Sequence, residues 1–159
     1  MEYYNKFLLG TVKHVKGNAS QPASADNRII TLFCTNDGDF ESVKENGRVA
    51  KVFGKAKDLY RGWWRSQRDF KDGNFQTEQV QSDTQIAHIL VMDANDDGPT
   101  FNMDNVKLAL DKFGKYCSQN KYSMHVNKTG TDEEWEAVMP IISETCVKRG
   151  VNVFVYSDE

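Results

Sequence analysis

The chain lacks a cysteine framework. Its three cysteines, Cys34, Cys117 and Cys146, are an odd number without CxxC spacing, so neither a zinc site nor a disulfide scaffold follows. Each lies among apolar neighbours, as small buried hydrophobes do. A long apolar run is also missing. Nothing matches the roughly 20 residues of a membrane span, and residues 1–6 lead into no signal-peptide core. The expected location is cytoplasmic. A surplus of positive charge is absent: the net charge is −3. Duplex nucleic acid and membranes, which favour a basic face, are therefore not expected as partners, although a local patch can defy a net charge. Metal-ligand spacing is lacking too. His88 and His125 read as core or edge histidines, and Asp93, Asp96 and Asp97 do not have the spacing of an EF-hand loop. No metal and no cofactor is expected. Internal repeats and low-complexity tracts do not occur.

What is present is enough for a real core. A length of 159 residues points to one domain, residues 1–159. Residues 8–16 read as a first strand, broken by the turn residues at 17–22. Residues 28–34 are a nearly continuous apolar run, the pattern of a central strand buried on both faces. Residues 46–67 place Val49, Val52, Phe53, Ala56, Leu59, Tyr60 and Trp63 at helical spacing, weakened by Gly54 and Gly62. Adjacent Trp63 and Trp64 cannot both face the core, so one is expected at the surface as a contact patch. Residues 74–81 alternate as a half-exposed strand, and residues 85–92 are a second buried strand. Residues 102–119 and 132–149 are helices, and 122–126 and 151–156 are strands. Thr131 with Glu134 fits a capping box, and Gly150 stops the last helix. Helices alternating with buried strands give an α/β fold: a single three-layer domain with a mixed sheet of about six strands.

The last 35 residues carry the clearest functional signal. They read strand, tight turn, helix, strand, and the turn at 127–132 lies at the carboxyl edge of the sheet, where α/β folds bind ligands. The free N–H groups of the following helix make this edge a natural anion site.

Taken in order, several segments resemble the macrodomain family, modules that bind ADP-ribose and in some branches hydrolyse its derivatives. Val15-Lys16-Gly17-Asn18-Ala19-Ser20 is similar to the opening strand and its Gly-Asp-apolar-Thr motif. Residues 29–35 resemble the second strand, and residues 126–135 the strand and glycine-rich loop that hold the phosphates. Residues 135–142 resemble the last helix with its internal proline, and Phe154-Val155-Tyr156 the closing strand with its aromatic end. The resemblance implies ligand contacts from Asn18, Ala19, Thr35, Asn36, Gly38, Lys128, Thr129, Gly130, Thr131, Asp132 and Tyr156. Asn18 would meet the adenine amino group, Tyr156 would stack on the base, and Lys128 would pair with phosphate.

The departures from the family pattern bear on catalysis. Glycine is scarce in both loops: Gly38 stands alone in one and Gly130 in the other, among several carboxylates. Close backbone approach to phosphate favours glycine, and carboxylates facing a diphosphate repel it. Met92 stands where one active branch has lysine, and Leu32 where histidine is common. The expected function is therefore a divergent module binding ADP-ribose or a related nucleotide, with weak or no catalysis. The alternative is an ADP-ribosyl hydrolase or ADP-ribose 1″-phosphate phosphatase in which Asp132 activates water and Asn36 positions the ribose. A second alternative is a degenerate macrodomain that works through a protein partner, a form that suits a viral or mobile-element protein.

Overall fold

The computed structural model describes residues 9–23 and 27–158. Seven strands form one mixed sheet: β1 (Val12–Lys16), β2 (Arg28–Thr35), β3 (Phe75–Gln81), β4 (Thr84–Asp93), β5 (Thr100–Phe101), β6 (Ser123–Asn127) and β7 (Val153–Ser157). Four helices accompany them: α1 (Lys44–Ala50), α2 (Lys55–Ser66), α3 (Met103–Asn120) and α4 (Asp132–Thr145). The strand order is β1-β7-β6-β2-β4-β3, with β5 paired to β4. Neighbours from β1 through β4 are parallel, while β3 and β5 run antiparallel to β4. The carboxyl ends of five strands therefore share one edge.

Strand alternation divides the core into two layers. Ile29 and Phe33 of β2 join Val106, Leu110 and Phe113 of α3 and Trp135, Val138 and Ile142 of α4 on one face. Ile30, Leu32 and Cys34 join Val49 of α1 and Ala56, Tyr60 and Trp63 of α2 on the other. The long apolar runs are explained: β2 and β4 contribute to both layers, so both of their faces are buried.

Two sequence expectations change. The helix expected over residues 46–67 is two helices, because the chain leaves the helix at residues 51–54. Val52, counted inward by periodicity, is 52% exposed, and Gly54 starts the second helix. The last helix ends at Thr145, and residues 147–149 form a separate 3-10 turn closed by Gly150 at φ +89°. The expected mixed sheet of about six strands is borne out, with the two-residue β5 as a short seventh. The strand expected from residue 8 is β1, Val12–Lys16; Leu8 lies outside the described residues.

Candidate ligand-binding site

A cavity of about 210 Å³ opens at the carboxyl edge of the sheet. The strand side supplies Gly17 after β1, Asn127 and Lys128 at the end of β6, and Tyr156 and Ser157 of β7. Helix α1 supplies Lys44, Glu45 and Arg48, and Gly130, Asp132 and Asp158 complete the rim.

Asn127 decides the chemistry of this cavity. It ends a strand whose five residues are all buried. Its Oδ1 accepts the Ala19 N–H at 2.9 Å, which ties the turn after β1 to the end of β6 and fixes the amide orientation. Its Nδ2 is buried and has no hydrogen-bond partner among the described residues. A buried donor left unpaired costs about 1–3 kcal/mol. An acceptor on a bound molecule would satisfy it.

Two cations flank this amide, and each is held by a carboxylate of the chain. Lys128 Nζ lies 2.7 Å from Asp132 Oδ1. Arg48 donates to both oxygens of Asp158, at 2.8 and 3.2 Å. The Lys128 hydrogen bond and charge hold the Asp132 carboxyl below its usual range, and Arg48 does the same for Asp158. Both carboxylates are largely exposed, so these pairs are weak and open to a competing anion.

The turn into α4 is rigid. Thr131 Oγ1 accepts the Glu134 N–H, and Glu134 Oε1 accepts the Thr131 N–H, so the capping box is complete. Glu134 Oε2 also accepts the Phe101 N–H at 2.9 Å, tying the turn to β5. Gly130 has φ +82°, and a Cβ there would lie 3.0 Å from Glu134 Oε1 and 3.2 Å from the Phe101 ring. The positive φ favours glycine, and a side chain there would also crowd Glu134 and Phe101. Thr129 is buried and donates to the Asn127 carbonyl. The helix start is less open to anions than its position implies. Asp132, Glu133 and Glu134 already offset the helix dipole.

The other expected residues are distributed differently. Tyr156 is 1% exposed. Its hydroxyl meets His125 Nδ1 at 2.7 Å and accepts the Ala23 N–H at 2.9 Å. The ring is core and offers no face for stacking, which corrects its expected role as an adenine platform. Asn18 spends its side-chain oxygen on the Ser20 N–H in a local turn, and the Ala19 N–H is taken by Asn127. Thr35 donates to Asp37 and Asn36 to Asp72. Gly38, at φ +85°, lies against the Trp64 indole and lines a separate depression with Asp37, Asp39 and Glu41. Asn36 and Asp132 therefore do not converge on one cavity. Trp63 is buried and Trp64 half-buried, so the pair does not form a bare apolar patch. Leu32 and Met92 are core residues, each 2% exposed.

No family model matches the chain, and no curated protein matches it in sequence. Solved structures match its shape. A protein from Bacteroides thetaiotaomicron superposes with a TM-score of 0.82 at 24% identity, covering 91% of this chain and 98% of its own. A macrodomain protein from Streptomyces coelicolor gives 0.80 at 24% identity, covering 92% and 98%. The macrodomain of Thermus aquaticus DarG gives 0.74 at 15% identity, covering 93% and 99%.

The chain has the macrodomain fold.

Within this macrodomain fold, the turn expected at 127–132 lies on the cavity, while Asn127 itself and the residues facing the turn were not among the expected ligand contacts. Asn127 was legible in principle, as the polar end of a buried strand at the ligand-binding edge. Lys44, Arg48 and Asp158 carried no such signal, since α1 and the end of β7 meet only in the folded chain.

Proposed function

We propose that this chain is a single-domain module, residues 1–159, that binds ADP-ribose or a related nucleotide at the Asn127 edge and does not turn it over efficiently. The carrying observation is the buried, unpartnered Asn127 amide in a cavity flanked by Lys128 and Arg48. A phosphate or ribose oxygen supplies the acceptor the amide lacks, and the two cations supply charge for a diphosphate. The macrodomain fold supports this ligand class over other nucleotides.

Catalysis is not favoured by the groups present. Asp132 is salt-bridged to Lys128, and its lowered carboxyl is a poor base for water near neutrality. Asn36 is held by Asp72 in another part of the edge. Cys34, buried in the core, has its thiol pushed well up by burial and is no nucleophile.

Calorimetric titration with ADP-ribose, and with adenosine alone, tests the reading. Saturable heat from ADP-ribose that exceeds the adenosine signal, with the gap shrinking as salt rises, is expected. Silence at millimolar ADP-ribose contradicts it.

A further inference from the structure

The charge of this chain is unevenly placed. Residues 44–71 hold nine Lys or Arg against three Asp or Glu, a net +6 in a protein whose total is −3. This segment is α1, α2 and the turn after α2, which lie together on one face of the sheet. Two of its cations have carboxylate partners, Arg48 with Asp158 and Lys57 with Glu41. Lys51, Lys55, Arg61, Arg65, Arg68 and Lys71 are exposed and make no ion pair among the described residues, with Lys51 and Arg61 near enough to Glu41 to help hold its carboxyl down. Arg61 and Arg65 are one helical turn apart on α2, and half-buried Trp64 lies three residues from Arg61 on the same helix.

We propose that the outer face of α1 and α2 is an interaction surface for single-stranded nucleic acid, a function separate from nucleotide binding in the Asn127 cavity. An unpaired row of cations attracts a polyanion, and the strongly acidic remainder of the chain orients it to this face. Guanidinium groups pair bidentately with phosphate as they do with carboxylate; the indole beside them favours a nucleic acid over an acidic peptide. Half-buried Trp64, next to Arg65 and three residues from Arg61 on α2, is the side chain on which a base of a single strand would stack, a contact that duplexes do not use. The surface does not require the cavity to be occupied.

Fluorescence anisotropy with labelled 20-nucleotide poly(U) and oligo(dT) at low salt tests the proposal on the whole chain. Arg61→Glu with Arg65→Glu is compared with Lys107→Glu plus Lys115→Glu on α3, which changes net charge equally on a different element. The expected result is saturable binding that falls about tenfold or more in the α2 double variant and whose salt slope drops by about 1.4 there. The α3 variant should change affinity by less than half as much on a logarithmic scale. Arg61→Gln with Arg65→Gln replaces the reversal if circular dichroism shows the latter misfolded. No binding to either oligonucleotide, an equal loss in both double variants, tighter binding of duplex than of single strand, or displacement of the oligonucleotide by polyglutamate at equal charge overturns the proposal. Because no ADP-ribose is present, the outcome is independent of the cavity reading.

Discussion

The His125 ring and the Tyr156 hydroxyl meet at 2.7 Å across β6 and β7, and Ser123 Oγ lies 2.8 Å from the other ring nitrogen. One tautomer satisfies the whole chain of bonds. Ser123 donates to the Asn27 carbonyl, His125 Nε2 donates to Ser123, Tyr156 donates to His125 Nδ1, and the Ala23 N–H donates to Tyr156. The network anchors the segment after β1 to the sheet. It also explains why a strand-end aromatic that invites a stacking role belongs to the core.

Tyr156→Phe keeps the ring and leaves His125 Nδ1 and the Ala23 N–H without partners. Stability should fall by about 1–3 kcal/mol, the range for an unsatisfied buried group. Chemical denaturation followed by circular dichroism measures it. A change below a few tenths would mean that the network contributes little.

Acid should destabilise the fold before the carboxylates titrate. Burial lowers both His88 and His125 to about 4, with the Arg28 charge adding to the effect at His125. A base with a lowered folded pKa binds fewer protons folded than unfolded. Stability is therefore full above about pH 6.5 and is lost as the pH falls from there toward about 4, with a limiting slope near 1.4 kcal/mol per pH unit for each histidine. Denaturant midpoints at pH 7.5, 6 and 5 should decline in order. A flat profile would contradict the buried neutral histidines.

At Gly114 the backbone of α3 lies close against the end of α4. A Cβ there would lie 2.0 Å from the Thr145 carbonyl oxygen. Gly114→Ala must push the helices apart, at a cost of about 1–3 kcal/mol or more. The same substitution in an exposed helix interior would stabilise by about 1 kcal/mol, so the sign of the measured change decides between close packing and a tolerant site.

Thr131→Ala removes the N-cap of α4 and frees the Glu134 N–H. A loss of about 0.5–2 kcal/mol is expected. Because Glu134 also holds Phe101 of β5, amide exchange should quicken at Phe101 as well as in the first turn of α4. Protection unchanged at Phe101 would show that the turn and β5 are held independently.

Much of the fold was legible because its signals are local. The runs in β2 and β4 are nearly continuous in apolar residues, and α3 and α4 keep apolar residues at three- and four-residue steps with a visible capping box at α4. The break between α1 and α2 was not legible, since Val52 and Phe53 continue the helical pattern through it. For the site, the turn at 127–132 showed in the sequence, and its surroundings did not. Arg48 and Asp158 are 110 positions apart, and the partners of Asn127 and Tyr156 depend on strand order, which periodicity does not carry.

Asn127→Asp tests the central claim most directly. The carboxylate preserves the acceptor for the Ala19 N–H while replacing the unpartnered amide donor with negative charge. Calorimetric titration of the wild-type and variant proteins with ADP-ribose, each checked for fold by circular dichroism, should show saturable binding in the first and at least a tenfold weaker interaction in the second, about the 1.4 kcal/mol that corresponds to tenfold. Equal affinity in two folded proteins would place any ligand away from Asn127 and contradict the account.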